Sequence, residues 1–329
     1  MEERPRLREA FIENPRMRYI MYGGKGGLGK TTFSAATGYW LAKKGYRVLV
    51  FSVDPQASLS DIFQRDIFGK GPQEIMPGLF AQEIDADRRI REYQDEIRRK
   101  IMDRYGLEEV PEEIESYIAA AAAEPAMEES AIFDEVVNIV VKGGYDYYIY
   151  DLVPLGHALY YLSMSSIYDA WINKITQLRT EMRRYQEVVA KMKSEKVTEE
   201  DEILDELLYI KERINASSRI FTDREKTAFF FVLTPEKISI IDTQKASALF
   251  SKFGVPLTGY IVNRVIPPEL LEEDIPGYLK NRISSQRGPM EEIRRFFGQK
   301  VLGYVPEFER DITGLEMIER VALKMFGEV

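Results

Sequence analysis

Cysteine is absent from the 329 residues, and histidine occurs once, as His157. The lack of thiols excludes disulfides, iron–sulfur ligation and cysteine nucleophiles, and one histidine argues against a structural zinc site. Long apolar runs are also missing, since stretches such as 228–233 fall far short of the roughly 20 residues that a bilayer-spanning helix needs. The charged N-terminus lacks the apolar stretch of a signal peptide. These absences predict a soluble cytoplasmic protein.

The chain also has no excess of positive charge. The chain has 45 Lys and Arg against 54 Asp and Glu, a formal net charge of −9. Such a chain has no general electrostatic attraction to nucleic acid or anionic lipid, so we expect no nucleic-acid partner. Its length suits two domains or one large one.

Six apolar runs of five to seven residues, rich in β-branched or aromatic residues, indicate buried strands. Most are apolar on both faces and are separated by helix-favouring stretches. This alternation predicts a doubly wound α/β fold with a mostly parallel sheet. The predicted strands are 18–22, 47–53, 145–150, 228–233, 257–262 and 301–305, and the predicted helices are 31–44, 132–142, 238–253 and 289–297.

Two long, charged, helix-favouring stretches interrupt the alternation, at residues 85–131 and 158–224. We interpret them as one helical subdomain inserted twice. The α/β domain then comprises residues 1–84, 132–157 and 225–329. Apolar residues recur at helical spacing in the second stretch, and they either pack on neighbouring helices or line a groove for a hydrophobic client.

The strongest local signal is GKGGLGKT at residues 24–31, which fits G-x-x-x-x-G-K-[ST] between a predicted strand and a predicted helix. In such a phosphate-binding loop, glycines let successive N–H groups point at an anion beside the helix N-terminus. Lys30 should reach the β and γ phosphates, and the Thr31 hydroxyl should bind Mg²⁺. Lys25 either adds a second charge or is a solvated lysine. The predicted nucleotide-binding residues here are Gly24, Lys25, Gly26, Gly27, Leu28, Gly29, Lys30, Thr31 and Thr32.

Two aspartates follow predicted strands, Asp54 and Asp151. In an open α/β sheet the carboxyl ends of the strands border the ligand crevice, so both carboxylates should lie beside the nucleotide phosphates. We assign Asp151 to Mg²⁺ binding through water and Asp54 to orienting the attacking water. Either aspartate could instead cap a turn or helix, and His157 could be a packed residue.

Together these motifs resemble the ArsA type of P-loop ATPases, which includes the arsenite-pump ATPase and the guided-entry ATPases that carry tail-anchored membrane proteins. Residues 23–32 look like its deviant Walker A motif, 54–63 like switch I and 151–159 like switch II. The resemblance runs from about residue 18 to residue 325. It implies that Lys25 crosses a dimer interface to the partner's nucleotide and that Asp54 activates water, with Lys30 completing the catalytic set.

Likeness to the C-terminal elements of the family implies that Asn263 meets adenine and that Pro306 and Glu307 begin the loop closing over it. Asn263 ends an apolar strand, and its amide offers both a donor and an acceptor to a purine edge. An asparagine at that place could also be a turn residue.

Departures from the family pattern matter as well. Switch I reads DPQAS, a form more like the related ParA and MinD ATPases, and the Cys-x-x-Cys zinc staple is absent, so a dimer would form without zinc. The chain resembles single-half, archaeal-like members, and it has no thiol to bind arsenite. Helical residues 179–193 are heavily charged, which weakens the expectation of a transmembrane-helix client.

The leading hypothesis is an ATP-hydrolysing homodimer, switched by ATP, ADP and Mg²⁺, that binds a hydrophobic, tail-anchored client and a membrane receptor. ATP is favoured over GTP by the resemblance and by the lack of an Asn-Lys-x-Asp motif. One alternative is a ParA-like or MinD-like positioning ATPase with a basic face or an amphipathic tail; residues 315–329 could form such a tail, although core packing is favoured. A holdase chaperone and a phosphotransferase or ligase are further alternatives.

Overall fold

The described strands form an eight-stranded sheet in the order β3-β4-β2-β5-β1-β6-β7-β8. Neighbouring strands pair in parallel, except that the edge strand β3 is antiparallel to β4. The predicted mostly parallel α/β fold is therefore confirmed. The strands are β1 (Tyr19–Gly23), β2 (Val48–Ser52), β3 (Gln73–Met76), β4 (Leu79–Glu83), β5 (Tyr147–Asp151), β6 (Thr227–Leu233), β7 (Leu257–Val265) and β8 (Val301–Pro306).

Helices cover both faces of the sheet. The helices with defined bounds are α1 (Leu7–Glu13), α2 (Lys30–Lys43), α3 (Ser58–Phe63), α4 (Ala86–Tyr105), α5 (Lys237–Lys252), α6 (Gly277–Phe297) and α7 (Gly314–Phe326), with short 3-10 turns at Pro268–Glu272 and Gly298–Lys300. One hydrophobic cluster joins α1, α2, α3 and α7 to one face of the sheet. A second joins α5, α6 and the helical residues 135–140 to the other face.

This computed structural model describes residues 6–53, 58–112, 114–116, 135–140, 142–152, 173–178, 180–181, 184, 212, 219–220, 222–252, 254–255 and 257–328. Most of the two stretches predicted to form the inserted subdomain lie outside these residues. Within them, α4 is helical, as expected for that subdomain. The division into two domains stays a prediction. Among the described residues, no helix combines the length and the apolar character needed to cross a membrane.

Strand β6 shows why the central strands are apolar on both faces. All of its residues are buried. Phe230 and Val232 pack in the cluster that contains α2, whereas Phe229 and Phe231 pack in the opposite cluster. Successive side chains of a strand point to opposite faces, so a strand between two helical layers must be apolar throughout.

All six predicted strands are present, but β3 and β4 were not predicted. Both carry polar side chains, including Glu74, Gln82 and Glu83, which hide the apolar signal. Helix α6 begins at Gly277 and not at residue 289, because Pro289 lies inside the helix and does not start it. The Ser284 hydroxyl in the unpredicted part donates back to the Lys280 carbonyl at 2.8 Å, a bond that suits helical backbone.

The C-terminal helix α7 belongs to the core. Its buried residues face α2 and the sheet, and the Phe326 ring stacks on Trp40 with centroids 4.2 Å apart. Core packing of this segment, favoured over a membrane-binding tail, is thus confirmed. Helix α7 therefore stabilises α2, the helix that follows the glycine-rich loop.

Replacing Phe326 by alanine should lower the free energy of unfolding by roughly 3–5 kcal/mol, because a buried ring is lost and leaves a cavity. The matched control is Leu323→Ala on the same helix, where the side chain is 43% exposed and the change should stay below about 1 kcal/mol. Urea unfolding followed by circular dichroism measures both. Equal, small effects would contradict a core position for α7.

Candidate functional site

The predicted site residues that the structure describes lie at one edge of the sheet. The loop at residues 24–29 joins β1 to α2, and Asp151 is the last residue of β5, the neighbour of β1. Asn263 lies near the carboxyl end of β7, and Pro306 ends β8. Because these strands are parallel, their carboxyl ends border one crevice, the usual ligand position in such sheets.

Two glycines of the loop, Gly24 and Gly29, have backbone conformations that favour glycine. Gly24 has φ +149°, and a Cβ placed on it would lie 2.5 Å from the Val232 carbonyl oxygen of β6. Gly29 has φ +100°, and its Cβ would lie 2.5 Å from the Asn263 amide nitrogen. Backbone conformation disfavours a side chain at both positions, and at Gly24 the backbone carbonyl excludes one by contact as well. The loop is thus pressed against β6 and β7.

The inner part of the loop is open. A Cβ on Gly26 or Gly27 would meet no atom within 4 Å. Gly29 is the N-cap of α2 and has no side chain to cap it, so the first N–H groups of α2, including that of Thr32, suit an anionic partner. These features fit the phosphates of a nucleotide.

The two loop lysines differ in their surroundings. Lys30 is only 8% exposed, and its Nζ donates to the Lys25 carbonyl oxygen at 3.2 Å, so its side chain folds back across the loop. The Lys25 side chain is 55% exposed, and its Nζ lies 3.5 Å from the Asp242 carboxylate on α5. Lys30 is thus held within the loop, whereas Lys25 extends from it.

Several side-chain oxygen atoms lie close together at the start of α2. The Thr31 hydroxyl donates to Asp151 Oδ2 at 2.6 Å, and the Ser34 hydroxyl lies 3.5 Å from Oδ1 of the same carboxylate. The Ser58 hydroxyl, at the start of α3, is 3.5 Å from that of Thr31. Asp151 is 3% exposed. Neighbouring hydroxyl and carboxylate oxygens are the donors that Mg²⁺ prefers, so Thr31 and Asp151 fit such an ion.

Strand β7 holds the loop from its outer side. Asn263 Nδ2 donates to the Leu28 carbonyl oxygen at 2.8 Å, and Arg264 Nη2 donates to the Gly27 carbonyl oxygen at 3.0 Å. Arg264 has φ +56°, a left-handed conformation that is uncommon for a residue with a side chain. Engaging the loop carbonyls on the outside favours N–H groups that face inward. Asn263 therefore has a structural contact besides its predicted contact with adenine.

The other predicted adenine-side residues lie next to β7. Pro306 pairs in register with Val265, and the Glu307 N–H donates to the Val265 carbonyl at 3.1 Å. The Glu307 carboxylate lies 3.3 Å from Arg282 of α6. This arrangement places the start of the predicted closing loop near Asn263.

One predicted site residue, Asp54, lies outside the described residues, as do His157 and all of residues 54–57 and 153–159. Three residues with contacts at the site were not predicted: Ser34, Asp242 and Arg264. Ser58 was included only within the switch I likeness. Ser34 could have been found from the sequence, since it lies one helical turn after Thr31. Asp242 and Arg264 reach the loop only through tertiary contacts.

A doubly wound parallel sheet with this glycine-rich loop between its central strand and a helix defines a P-loop nucleotide-binding protein. The model of the family described as "Anion-transporting ATPase" matches residues 17–327. The chain belongs to this family, the ArsA type of P-loop ATPases indicated by its motifs, and it is an ATPase.

Three relatives illustrate the match. "Putative arsenical pump-driving ATPase 1" of Aquifex aeolicus is 32% identical over 95% of this chain and 79% of the relative. "Putative arsenical pump-driving ATPase 2" of the same organism is 30% identical over 92% of this chain and 97% of the relative. "ATPase GET3C" of Arabidopsis thaliana is 29% identical over 92% and 76%, respectively.

Gly24→Ala should abolish nucleotide binding, because a methyl group 2.5 Å from the Val232 carbonyl forces the loop to move. Gly45→Ala is the matched control, since Gly45 also has positive φ (+90°) but no atom within 4 Å of its Cβ position. Both variants should lose about 1 kcal/mol of stability from backbone strain. Only Gly24→Ala should lose the rise in melting temperature produced by Mg²⁺ and ADP. The same rise in both variants would contradict the tight packing of the loop on β6.

Proposed function

We propose that the protein is a nucleotide-switched homodimer in which ATP draws two P-loop domains together and hydrolysis releases them. The single observation that carries this proposal is Lys25: a lysine inside the phosphate loop whose ammonium group extends out of its own loop. In the family resemblance, the equivalent lysine reaches the partner's nucleotide. An exposed Lys25 is what such a contact requires.

Within one protomer, each site residue has a proposed task. Lys30 neutralises charge on the β and γ phosphates, and Asp54 orients water for in-line attack. Thr31 and the buried Asp151 would hold Mg²⁺, Asp151 through water, and the ion would supply charge neutralisation at the phosphates. The N–H groups of residues 26–32 bind the phosphates, and Asn263, Pro306 and Glu307 surround adenine.

The resting contact of Lys25 is compatible with this switch. Its ion pair with Asp242 joins two side chains that are 55% and 44% exposed, at 3.5 Å. Ion pairs this exposed contribute about 0–1 kcal/mol because water screens them and the side chains lose entropy. Lys25 can therefore leave Asp242 at little cost when a triphosphate on a partner protomer offers several negative charges.

The output of the switch is proposed to be mechanical. Contacts with the γ-phosphate and Mg²⁺ hold residues 54–63 and 151–159 in one arrangement, and hydrolysis releases them. This change would rearrange the inserted helical subdomain, where a hydrophobic client binds. The family likeness, which includes relatives named "ATPase GET3C" and "ATPase GET3A", favours a tail-anchored client, a membrane receptor and a cytoplasmic location. Without cysteines, the dimer would not use thiolate-bound zinc.

The first test is hydrolysis itself. Lys30→Ala should abolish ATP turnover and weaken Mg²⁺·ATP binding, since it removes a buried charge at the phosphates. Asp54→Asn should leave ATP binding within about threefold of the parent while lowering kcat by at least a hundredfold, because binding does not need the water-orienting group. Phosphate release and isothermal titration measure the two quantities. Parent-like turnover by Asp54→Asn would refute its assigned role.

The second test is the molecular mass in solution without nucleotide, with ADP and with a non-hydrolysable ATP analogue. The ATP analogue should favour the dimer, and Lys25→Ala should weaken that dimer and reduce hydrolysis. Asp242→Asn should keep the dimer, because it frees Lys25 without removing it.

Lys44→Ala is the control for loss of a surface lysine, since Lys44 pairs with Glu328 at the other end of α2. It should dimerise like the parent protein. A mass that does not respond to nucleotide, with unchanged hydrolysis in Lys25→Ala, would refute the switched dimer.

A further inference from the structure

Glu83 is a buried carboxylate with a full set of donors. It ends β4 and is 1% exposed. Its Oε1 accepts the Leu59 N–H at 2.6 Å, and its Oε2 accepts the Ser60 N–H at 3.1 Å and also the Ser60 hydroxyl. All three donors lie in the first turn of α3. Glu83 therefore holds the N-terminus of this helix with both oxygens.

The helix that Glu83 holds connects directly to the nucleotide site. Residues 54–57, which include the predicted water-orienting Asp54, are followed at once by α3. Ser58, the first residue of α3, has its hydroxyl 3.5 Å from that of Thr31. On the other side, Leu59 and Ile62 are buried in the cluster that contains α2. The start of α3 is thus the downstream anchor of the segment that carries Asp54.

Further contacts join the chain that follows α3 to Ser60 and Glu83. The Ser60 hydroxyl accepts the Ile67 N–H at 3.2 Å, and the Glu83 carbonyl accepts the Gly69 N–H at 3.0 Å. Residue Phe68 forms a parallel bridge with Glu83. The chain that leaves α3 therefore returns to the same residue that holds its beginning, and a shift of Glu83 would move both ends.

We infer that Glu83 is a positioning residue for ATP hydrolysis: its carboxylate fixes the start of α3, so that Ser58, which follows the segment with Asp54 in the chain, returns to one place beside Thr31 in each catalytic cycle. This inference rests on the proposed role of Asp54. Glu83 itself touches neither the phosphate loop nor Asp151 in any described contact. Its effect on catalysis is through α3.

The chemistry at Glu83 requires a carboxylate. Both of its oxygens accept backbone N–H groups, and an amide has one acceptor oxygen only. In Glu83→Gln, the side chain must direct an NH₂ group at a backbone N–H, so one buried donor loses its partner, and such a loss is costly in a dry site. Burial raises the pKa of Glu83, and the hydrogen bonds from Ser60 and Leu59 oppose that rise. The shape of the side chain is almost unchanged by the substitution.

The experiment compares Glu83→Gln with Asp85→Asn. Asp85 is two residues away and also caps a helix, since its carboxylate accepts the Arg88 N–H of α4 at 2.9 Å. In the chain, that helix follows β4 and not the segment with Asp54. Asp85→Asn therefore controls for loss of a capping carboxylate and should hydrolyse ATP like the parent protein.

Three quantities are measured for each variant: kcat, the affinity for Mg²⁺·ADP, and the affinity for ADP with fluoroaluminate, which resembles the transition state. A displacement near the reacting atoms should lower kcat in Glu83→Gln by roughly ten- to a hundredfold. Fluoroaluminate binding should fall in parallel, while Mg²⁺·ADP binding should stay within about threefold, because only the transition state needs the positioned segment.

A merely structural role gives a different result. In that case the melting temperature, ADP affinity and kcat fall together, and the inference is overturned; it is equally overturned by a parent-like kcat. If Glu83→Gln does not fold, Ser60→Ala carries the same test, because it removes the hydroxyl donor to Glu83, together with the acceptor of the Ile67 N–H, and leaves both backbone donors. It should lower kcat less than Glu83→Gln is expected to, again without loss of ADP affinity, and an unchanged kcat would overturn the inference.

Assaying Asp54→Asn in parallel distinguishes a failure of the inference about Glu83 from a failure of the role proposed for Asp54. If Asp54→Asn stops turnover while Glu83→Gln is normal, the positioning role alone fails. If Asp54→Asn turns over normally, the assignment of Asp54 fails, and a loss of kcat in Glu83→Gln then supports positioning of Ser58 only.

Discussion

Parallel pairing of β1 with β5 on one side and β6 on the other is the constraint on which the site depends. It brings the glycine-rich loop beside Asp151 at the end of β5. The same pairing sets Val232 of β6 against Gly24. Both layers of helices serve this arrangement, because strands that are apolar on each face need cover on each face. The carboxyl ends of the buried strands therefore form one edge of the sheet, and this binding edge carries several polar groups.

The phosphate loop is shaped from outside as much as by its own glycines. Strand β7 contributes Asn263 and Arg264, whose side chains donate to the loop carbonyls of Leu28 and Gly27. The left-handed backbone of Arg264 is a local strain that its contact with the loop helps to offset. The Lys25 side chain, by contrast, is exposed and extends from the loop. A firmly held loop with one extended lysine suits a site that is completed by a second molecule.

The start of α3 is likewise held by a side chain from another element, Glu83 of β4. A carboxylate in the core would be unfavourable if it lacked partners, and here it takes its donors from the start of α3. The buried charge and the helix N-terminus stabilise each other. Glu83 therefore fixes the start of α3 to the sheet, and α3 directly follows, in the chain, the segment that carries Asp54.

The sequence alone determined six apolar strands, the α/β class, the phosphate loop and the placement of Thr31 and Asp151 at one edge of the sheet, because each depends on local composition or on the parallel order of strands. It did not reveal β3 and β4, whose polar residues hide the pattern. It also did not reveal that Glu83, Asp242 and Arg264 lie near the loop or its neighbours. Only the tertiary structure decided those contacts, because they join residues far apart in the chain, and no local pattern encodes which distant backbone groups a buried side chain will meet.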